Sequence, residues 1–267
     1  MLRLLNDTFV EALGTLAIRF VHEAGKFSVF CWGAFRRALS PPWSMRLILD
    51  QAMALGVRSL PIALITATFV GLVMVLQTGV QLVKFGSKNY VPGIAFIANA
   101  REMVPVFTAF VVGARCAASM AAELGTMRVT EQIDAMTILN VDPMRYLVAP
   151  RLISITLLLP LISIIALVAG FFGGMVVAAA GLNIHPVEYY HVTLKFAGLG
   201  DVYAGLVKTV VFGMIIALVG CYFGFNTQGG ASGVGRATTS AVVCTLLLVL
   251  LWDYVLTRWT LLFILNY

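Results

Sequence analysis

Long apolar runs dominate the chain, and its polar residues are confined to short gaps between them. The first run long enough to cross a bilayer covers about residues 60–83 and the second about 91–120. A third apolar stretch, 146–182, is too long for one straight crossing and too short for two. Pro150, Pro160 and Gly170-Phe-Phe-Gly-Gly174 predict a surface entry followed by a kinked or tilted helix. The fourth run covers about 202–225 and the fifth about 241–265. The gaps read as a polar turn at 84–89, a polar connector at 183–200 and a flexible Gly-rich loop at 226–236. Ahead of the runs, Leu2, Leu5, Phe9, Leu13, Leu16 and Phe20 step by three or four residues. Arg3, Asp7, Glu11, Arg19 and Glu23 take other faces, which predicts an amphipathic helix in the membrane interface. Charges interrupt every candidate signal-peptide core. A second piece, 27–35, is too short to span and ends at Arg36-Arg37, before Ser40-Pro41-Pro42 breaks the helix. The expectation is an all-α polytopic membrane protein. One membrane domain, 1–267, would hold interfacial helices at 1–40 and five transmembrane helices.

One gap is unlike the others. Ala121-Ala-Glu-Leu-Gly-Thr-Met-Arg-Val-Thr-Glu-Gln-Ile-Asp-Ala-Met136 places Glu123, Arg128, Glu131, Gln132 and Asp134 between two apolar runs. Such a stretch cannot sit in lipid unpaired. Thr126 is a candidate cap for a helix running on from Met127. Val129, Ile133 and Met136 form an apolar stripe, with Arg128, Glu131 and Asp134 on another face. The pattern fits a short surface helix whose charged face meets another protein, and equally a solvated connector that sets topology.

Composition agrees with a membrane protein. Of 267 residues, 60% are hydrophobic and 11% charged, against about 25% charged in a soluble domain. Mean hydropathy is +0.96. The net charge of +6 calls for no nucleic acid and mostly reports loop placement. With a cytoplasmic N-terminus, twelve of the Lys and Arg residues fall inside or near the inner surface: Arg3, Arg19, Lys26, Arg36, Arg37, Arg46, Arg58, Arg115, Arg128, Arg145, Arg151 and Arg236. Six do not: Lys84, Lys88, Arg101, Lys195, Lys208 and Arg258. That bias places 121–140 in the cytoplasm and 183–200 outside. Cys31, Cys116, Cys221 and Cys244 are far apart in or beside apolar stretches, which fits buried free thiols.

Candidate chemistry is sparse. The pair Gly25-Lys26 is followed by Phe27, so it opens no phosphate-binding loop, and ATP work must come from another subunit. Gly230-Ala-Ser-Gly233 looks like the Gly-x-Ser-Gly of rhomboid proteases, but His22, His185 and His191 all precede Ser232. His185-Pro-Val-Glu-Tyr-Tyr-His191 lacks the spacing of a helical metal pair and reads as a loop. No catalytic residue, metal or cofactor is expected. The intramembrane charges say more. Arg101 and Glu102 are neighbours that cannot face each other on a helix, so each needs a partner elsewhere. Arg101 and Asp253 both count to roughly 15–18 Å from the outer end, with Lys208 slightly shallower. A polar layer shared by spans two, four and five fits, either lining a cavity or merely pairing charges that hold the helices together.

These residues also carry a resemblance. Arg101-Glu-Met-Val-Pro105 resembles the Arg-Glu-x-x-Pro motif of the MlaE/YrbE family, and 121–136 resembles that family's cytoplasmic coupling segment over its whole length. Val141-Asp-Pro143, Ser232-Gly-Val-Gly-Arg-Ala-Thr-Thr239 and Asp253-Tyr-Val-Leu-Thr257 continue the match in order. The likeness spans roughly residues 71–257. Ala114, Ala117 and Val104 depart from the usual pattern.

The resemblance implies the membrane permease subunit of a phospholipid ABC transporter in a bacterial inner membrane. Such permeases are homodimers that pair with a separate ATPase and an MCE-domain lipid-binding ring, often with a STAS-domain protein too. It implies that 121–140 is the ATPase-coupling segment, through Glu131 and Gln132 with Glu123, Arg128 and Asp134 alongside. It also implies a lipid cavity near Arg101, Glu102 and Asp253, walled by Leu72, Val75, Leu76 and Val80 with Gln77 as a polar group. The role expected is maintenance of outer-membrane lipid asymmetry or envelope lipid balance. A scaffold or channel without a coupled ATPase is the alternative reading.

Overall fold

The computed structural model describes residues 2–263, and they are helical nearly throughout. Side chains at 1–13, 16, 17, 19, 20 and 263–267 are outside that description. The N-terminal stripe of Leu2, Leu5, Phe9, Leu13, Leu16 and Phe20, with Arg3, Asp7, Glu11 and Arg19, is therefore described as helical backbone alone. In chain order the helices are α1 (Leu2–Leu39), α2 (Met45–Gln51), α3 (Leu60–Lys84), α4 (Val91–Ala98) and α5 (Val104–Val129). They continue as α6 (Gln132–Ile138), α7 (Ala149–Leu182), α8 (Pro186–Phe196), α9 (Leu199–Phe225) and α10 (Gly230–Phe263). Short wide or tight turns join some of them into longer rods. Among the described residues, five segments are long and apolar enough to cross a membrane: Met45–Lys84, Lys88–Val129, Met144–Leu182, Leu199–Phe225 and Gly230–Leu262. The chain is a polytopic all-α membrane protein.

Proline explains where the rods are irregular. Three π turns, Ala52–Gly56, Asn99–Met103 and Met144–Val148, precede Pro61, Pro105 and Pro150. A proline inside a helix has no N–H to give and crowds the carbonyl four residues back. A wide turn just ahead of it takes up that misfit without ending the rod.

Small residues explain the packing. α3 lies chiefly on α7, and α5 lies against α9 and α10. Gly71 and Gly170 meet backbone to backbone, so a Cβ on Gly71 would strike the Gly170 carbonyl. One turn further, a Cβ on Gly173 would come within 2.6 Å of the Thr68 carbonyl. Close backbone approach through small residues is how helices gain contact in lipid, where apolar side chains are no better buried than exposed.

Several segments differ from the sequence expectation. The piece 27–35 is no separate element, because α1 runs unbroken from Leu2 to Leu39. Its second half docks on the bundle: Ala34 is fully buried, and the Phe27 and Phe30 rings stand edge-on to Tyr222 at 5.2 and 5.6 Å. Lys26 at 2.9 Å and the Tyr222 hydroxyl at 3.1 Å hold the Glu23 carboxyl below its ordinary range. The connector 183–200 contains α8, which packs on α4 through buried Tyr189 and Thr193. The Gly-rich loop shrinks to four residues, since α10 begins at Gly230. Gly233 is required there because a Cβ would strike the Gln228 carbonyl. Ser232 donates to the Gly229 carbonyl at 3.1 Å, as a hydroxyl of the first helical turn.

The segment 121–136 changes most. α5 does not stop for a cap at Thr126. It continues to Val129, and Thr126 donates to the Ala122 carbonyl within it. Leu124 and Gly125 are buried, Gly125 against Thr227 at the α9 end, so tertiary contact holds the helix on past the polar residues. The break comes at Thr130–Glu131, where Glu131 adopts φ 59°, and α6 follows as a seven-residue helix.

Candidate functional site

Two groups of polar side chains stand out in the bundle. The first is built on the π turn Asn99–Met103, which carries Arg101 and Glu102 between α4 and α5. Arg101 Nε donates to Asp201 Oδ1 at 2.5 Å. Asp201 is the third residue of α9, and its other oxygen accepts the Gly198 N–H at 2.9 Å, so one carboxylate caps a helix and neutralises an arginine. Glu102 turns the other way, toward Lys208 of α9. The Lys208 ammonium also donates to Asp253 at 3.0 Å and to Thr257 at 2.7 Å, both on α10. Thr257 Oγ1 lies 3.3 Å from each Glu102 oxygen.

Burial grades these groups. The Lys208 side chain is 1% exposed and Asp201 6%, while Arg101, Glu102 and Asp253 keep 25%, 32% and 21%. A lysine that deep is tolerable only because both carboxylates and a hydroxyl use its three N–H donors. The polar layer of spans two, four and five inferred from helix depth therefore exists. Its wiring was missed: Arg101 pairs with Asp201, and Glu102 and Asp253 share Lys208. Two spacings carry that signal in the sequence, Gly198-x-x-Asp201 as a helix start and Asp253-x-x-x-Thr257 as one helical face.

The expected walls on α3 divide. Leu76 and Val80 are 53% and 51% exposed, Gln77 is exposed and Leu72 half-buried, so they lie on or beside the outer face of the bundle. Val75 is not with them. It is 1% exposed and packs with Val91, Ala95, Ala178, Ile184 and Tyr189, because the adjoining face of α3 is the one closed by α7. Val75 is a core residue and no cavity wall within this chain.

The second group is at the α5–α6 turn. Ile133 is 4% exposed and Met136 packs beside it, so the expected stripe anchors α6 to the bundle, while Val129 stays 37% exposed. Arg128 and Asp134 pair with each other across the turn. Glu123 is tied up as well: its carboxylate meets the buried Arg151 at 2.6 Å, and Arg151 also donates to the Leu147 carbonyl. Three of the five expected contact residues thus serve the chain's own structure. Glu131 and Gln132 point outward, exposed. The structure adds Ile138 and Leu139, 85% and 75% exposed at the tip of α6. Hydropathy alone passes them over, because two apolar residues after a helical turn look like core.

Comparison with known proteins gives these groups a context. The family model described as Permease MlaE matches residues 48–259. A probable ABC transporter permease protein of Rickettsia typhi is 39% identical over 246 residues, covering 92% of this chain and 95% of the relative. A probable ABC transporter permease protein of Synechocystis is 42% identical over 211 residues, 79% of this chain and 80% of the relative. Protein TRIGALACTOSYLDIACYLGLYCEROL 1, chloroplastic, of Arabidopsis thaliana is 36% identical over 214 residues, 79% of this chain and 60% of the relative.

The buried lysine yields a stability prediction. Lys208→Met should strand two carboxylates and destabilise the bundle by about 3–5 kcal/mol. Thermal unfolding in detergent should show the loss, and adding Glu102→Gln and Asp253→Asn to the same chain should recover most of it. An unchanged melting temperature for Lys208→Met would show that the ammonium is not what holds α5, α9 and α10 together.

Proposed function

This chain belongs to the MlaE family of ABC transporter permeases, and from that premise we propose that it moves phospholipid across or out of a bacterial inner membrane. It works as a homodimer driven by a separate ATPase, and an MCE-domain protein, with a STAS-domain protein in some assemblies, completes the complex. Its role would be outer-membrane lipid asymmetry or envelope lipid balance. The Arabidopsis relative bears the name of a galactolipid, which agrees with a lipid cargo. The basic side chains gathered at the α1–α2, α5–α6 and α9–α10 end support a cytoplasmic N-terminus.

The observation that carries this reading is α6. It is pinned to the core by Ile133 and Met136, yet its outer face, with Glu131, Gln132, Ile138 and Leu139, is exposed, with nothing among the described residues covering it. A short, rigidly anchored helix of that kind can transmit a push from an ATPase that closes on ATP. The stiff α5 rod, continuous with α6 but for one turn, would deliver the push to the layer around Arg101. There the ion pair with Asp201 uses only Nε, which leaves both Nη groups as donors for a lipid phosphate. Leu72, Leu76 and Val80 would contact acyl chains beside Gln77. The permease makes and breaks no covalent bond, and hydrolysis belongs to the ATPase.

Three experiments test the proposal. Glu131→Lys with Gln132→Ala should abolish ATPase co-purification while insertion stays normal, since unpaired charge at a buried interface costs about 2–5 kcal/mol. Undiminished co-purification would remove α6 from the coupling role. Arg101→Ala should lower co-purified phospholipid and transport in an assembled complex. A complex that falls apart instead would mean that the arginine chiefly satisfies Asp201. For orientation, in a cysteine-free background, a cysteine at Lys88 should label from the periplasm and one at Thr130 from the cytoplasm alone. Periplasmic labelling at Thr130 inverts the topology.

A further inference from the structure

At the elbow between α1 and α2 two grooves lie side by side. The upper groove is polar at its mouth, where Arg37, Ser44, Asp142 and Arg145 surround it. The lower groove is apolar and runs down the bundle between Phe35, Leu39, Leu152, Leu157 and Met214. Trp43 and Ile153 line both, so the two adjoin. Their boundary is fixed: the Trp43 indole N–H donates to the Ala38 carbonyl at 2.9 Å, which holds the ring between the polar and the apolar part. Indole rings favour that level, where headgroups give way to acyl chains.

The charges at the mouth do not cancel. Arg37 is paired with Asp142. Arg145 has one long bond, 3.4 Å, from Nη2 to the Pro42 carbonyl, so most of its N–H donors face the groove or water. Arg36 and Arg46 are exposed on the same elbow, against one further exposed carboxylate, Asp50 of α2, so the arginines still outnumber the acids. An excess of guanidinium above a cleft walled by aliphatic and aromatic carbon fits one kind of occupant, an amphiphile with an anionic head and an apolar tail.

We propose that the elbow groove is a binding site for one anionic phospholipid of the surrounding leaflet, with its phosphate at Arg145 and an acyl chain in the Leu39–Leu157–Met214 cleft. The site is separate from the layer around Arg101 and Lys208, and it holds whichever way the protein faces and whether or not lipid is its cargo. It clamps α1 to the first turns of α7, the region where Arg37 already meets Asp142. A lipid there would act as a removable clasp between the N-terminal helix and the bundle.

Trp43 supplies the readout. The full chain, with Trp32, Trp252 and Trp259 changed to Phe, is placed in nanodiscs of unlabelled zwitterionic phospholipid. A small fixed fraction of phosphatidylglycerol or phosphatidylcholine, brominated near the glycerol end of the acyl chain, is then added. Brominated phosphatidylglycerol should occupy the groove about fivefold more effectively than brominated phosphatidylcholine, the gain expected from one surface guanidinium. Arg145→Gln should remove the difference without altering the melting temperature, since that side chain is exposed. Inorganic phosphate should not relieve the quenching. Equal quenching by the two lipids in the parent chain, a preference that survives Arg145→Gln, or relief by inorganic phosphate would each overturn the proposal.

Discussion

A charged amine buried in an apolar bundle must be fully paired, and Lys208 sets that condition for this protein. Its side chain is all but sealed, so its three donors need acceptors from the protein itself. Glu102 comes from the π turn after α4, and Asp253 with Thr257 comes from one face of α10. Satisfying one lysine therefore fixes the rotation of α10, the position of the turn and the depth of α9 together. Replacing the group by well-packed apolar residues would cost such a bundle little in stability. Its presence makes sense chiefly as a means of specifying one arrangement at mid-membrane.

That arrangement is connected to the α6 end by backbone continuity. Pro105 imposes the wide turn that carries Arg101 and Glu102, and from there α5 runs as one rod to Thr130. The tie between buried Arg151 and half-exposed Glu123 joins the far end of that rod to α7. Glycines let α3 close on α7 at backbone distance. The parts near the polar layer and the parts near α6 are thus two ends of one stiff element, and the elbow of α1 and α2 borders it.

The amino-acid sequence by itself determined the class, the five crossings and the special status of 121–136, because hydropathy and charge in lipid act locally: a residue's cost depends on its own chemistry and its depth. It also placed Arg101, Lys208 and Asp253 at similar depth, since helix rise converts sequence position to distance. Tertiary structure decided the rest. Which carboxylate serves Arg101 depends on how α9 starts, and whether Val75 meets lipid or α7 depends on the glycines opposite it. Glu123, Arg128 and Asp134 look free in the sequence because their partners lie in another helix or across a turn. Helix ends moved for the same reason: buried contact with Thr227 carries α5 past Thr126, and Gly233 joins α10 where the Gln228 carbonyl leaves no room for a side chain. A linear pattern reports what each residue needs, and only packing selects which neighbour supplies it.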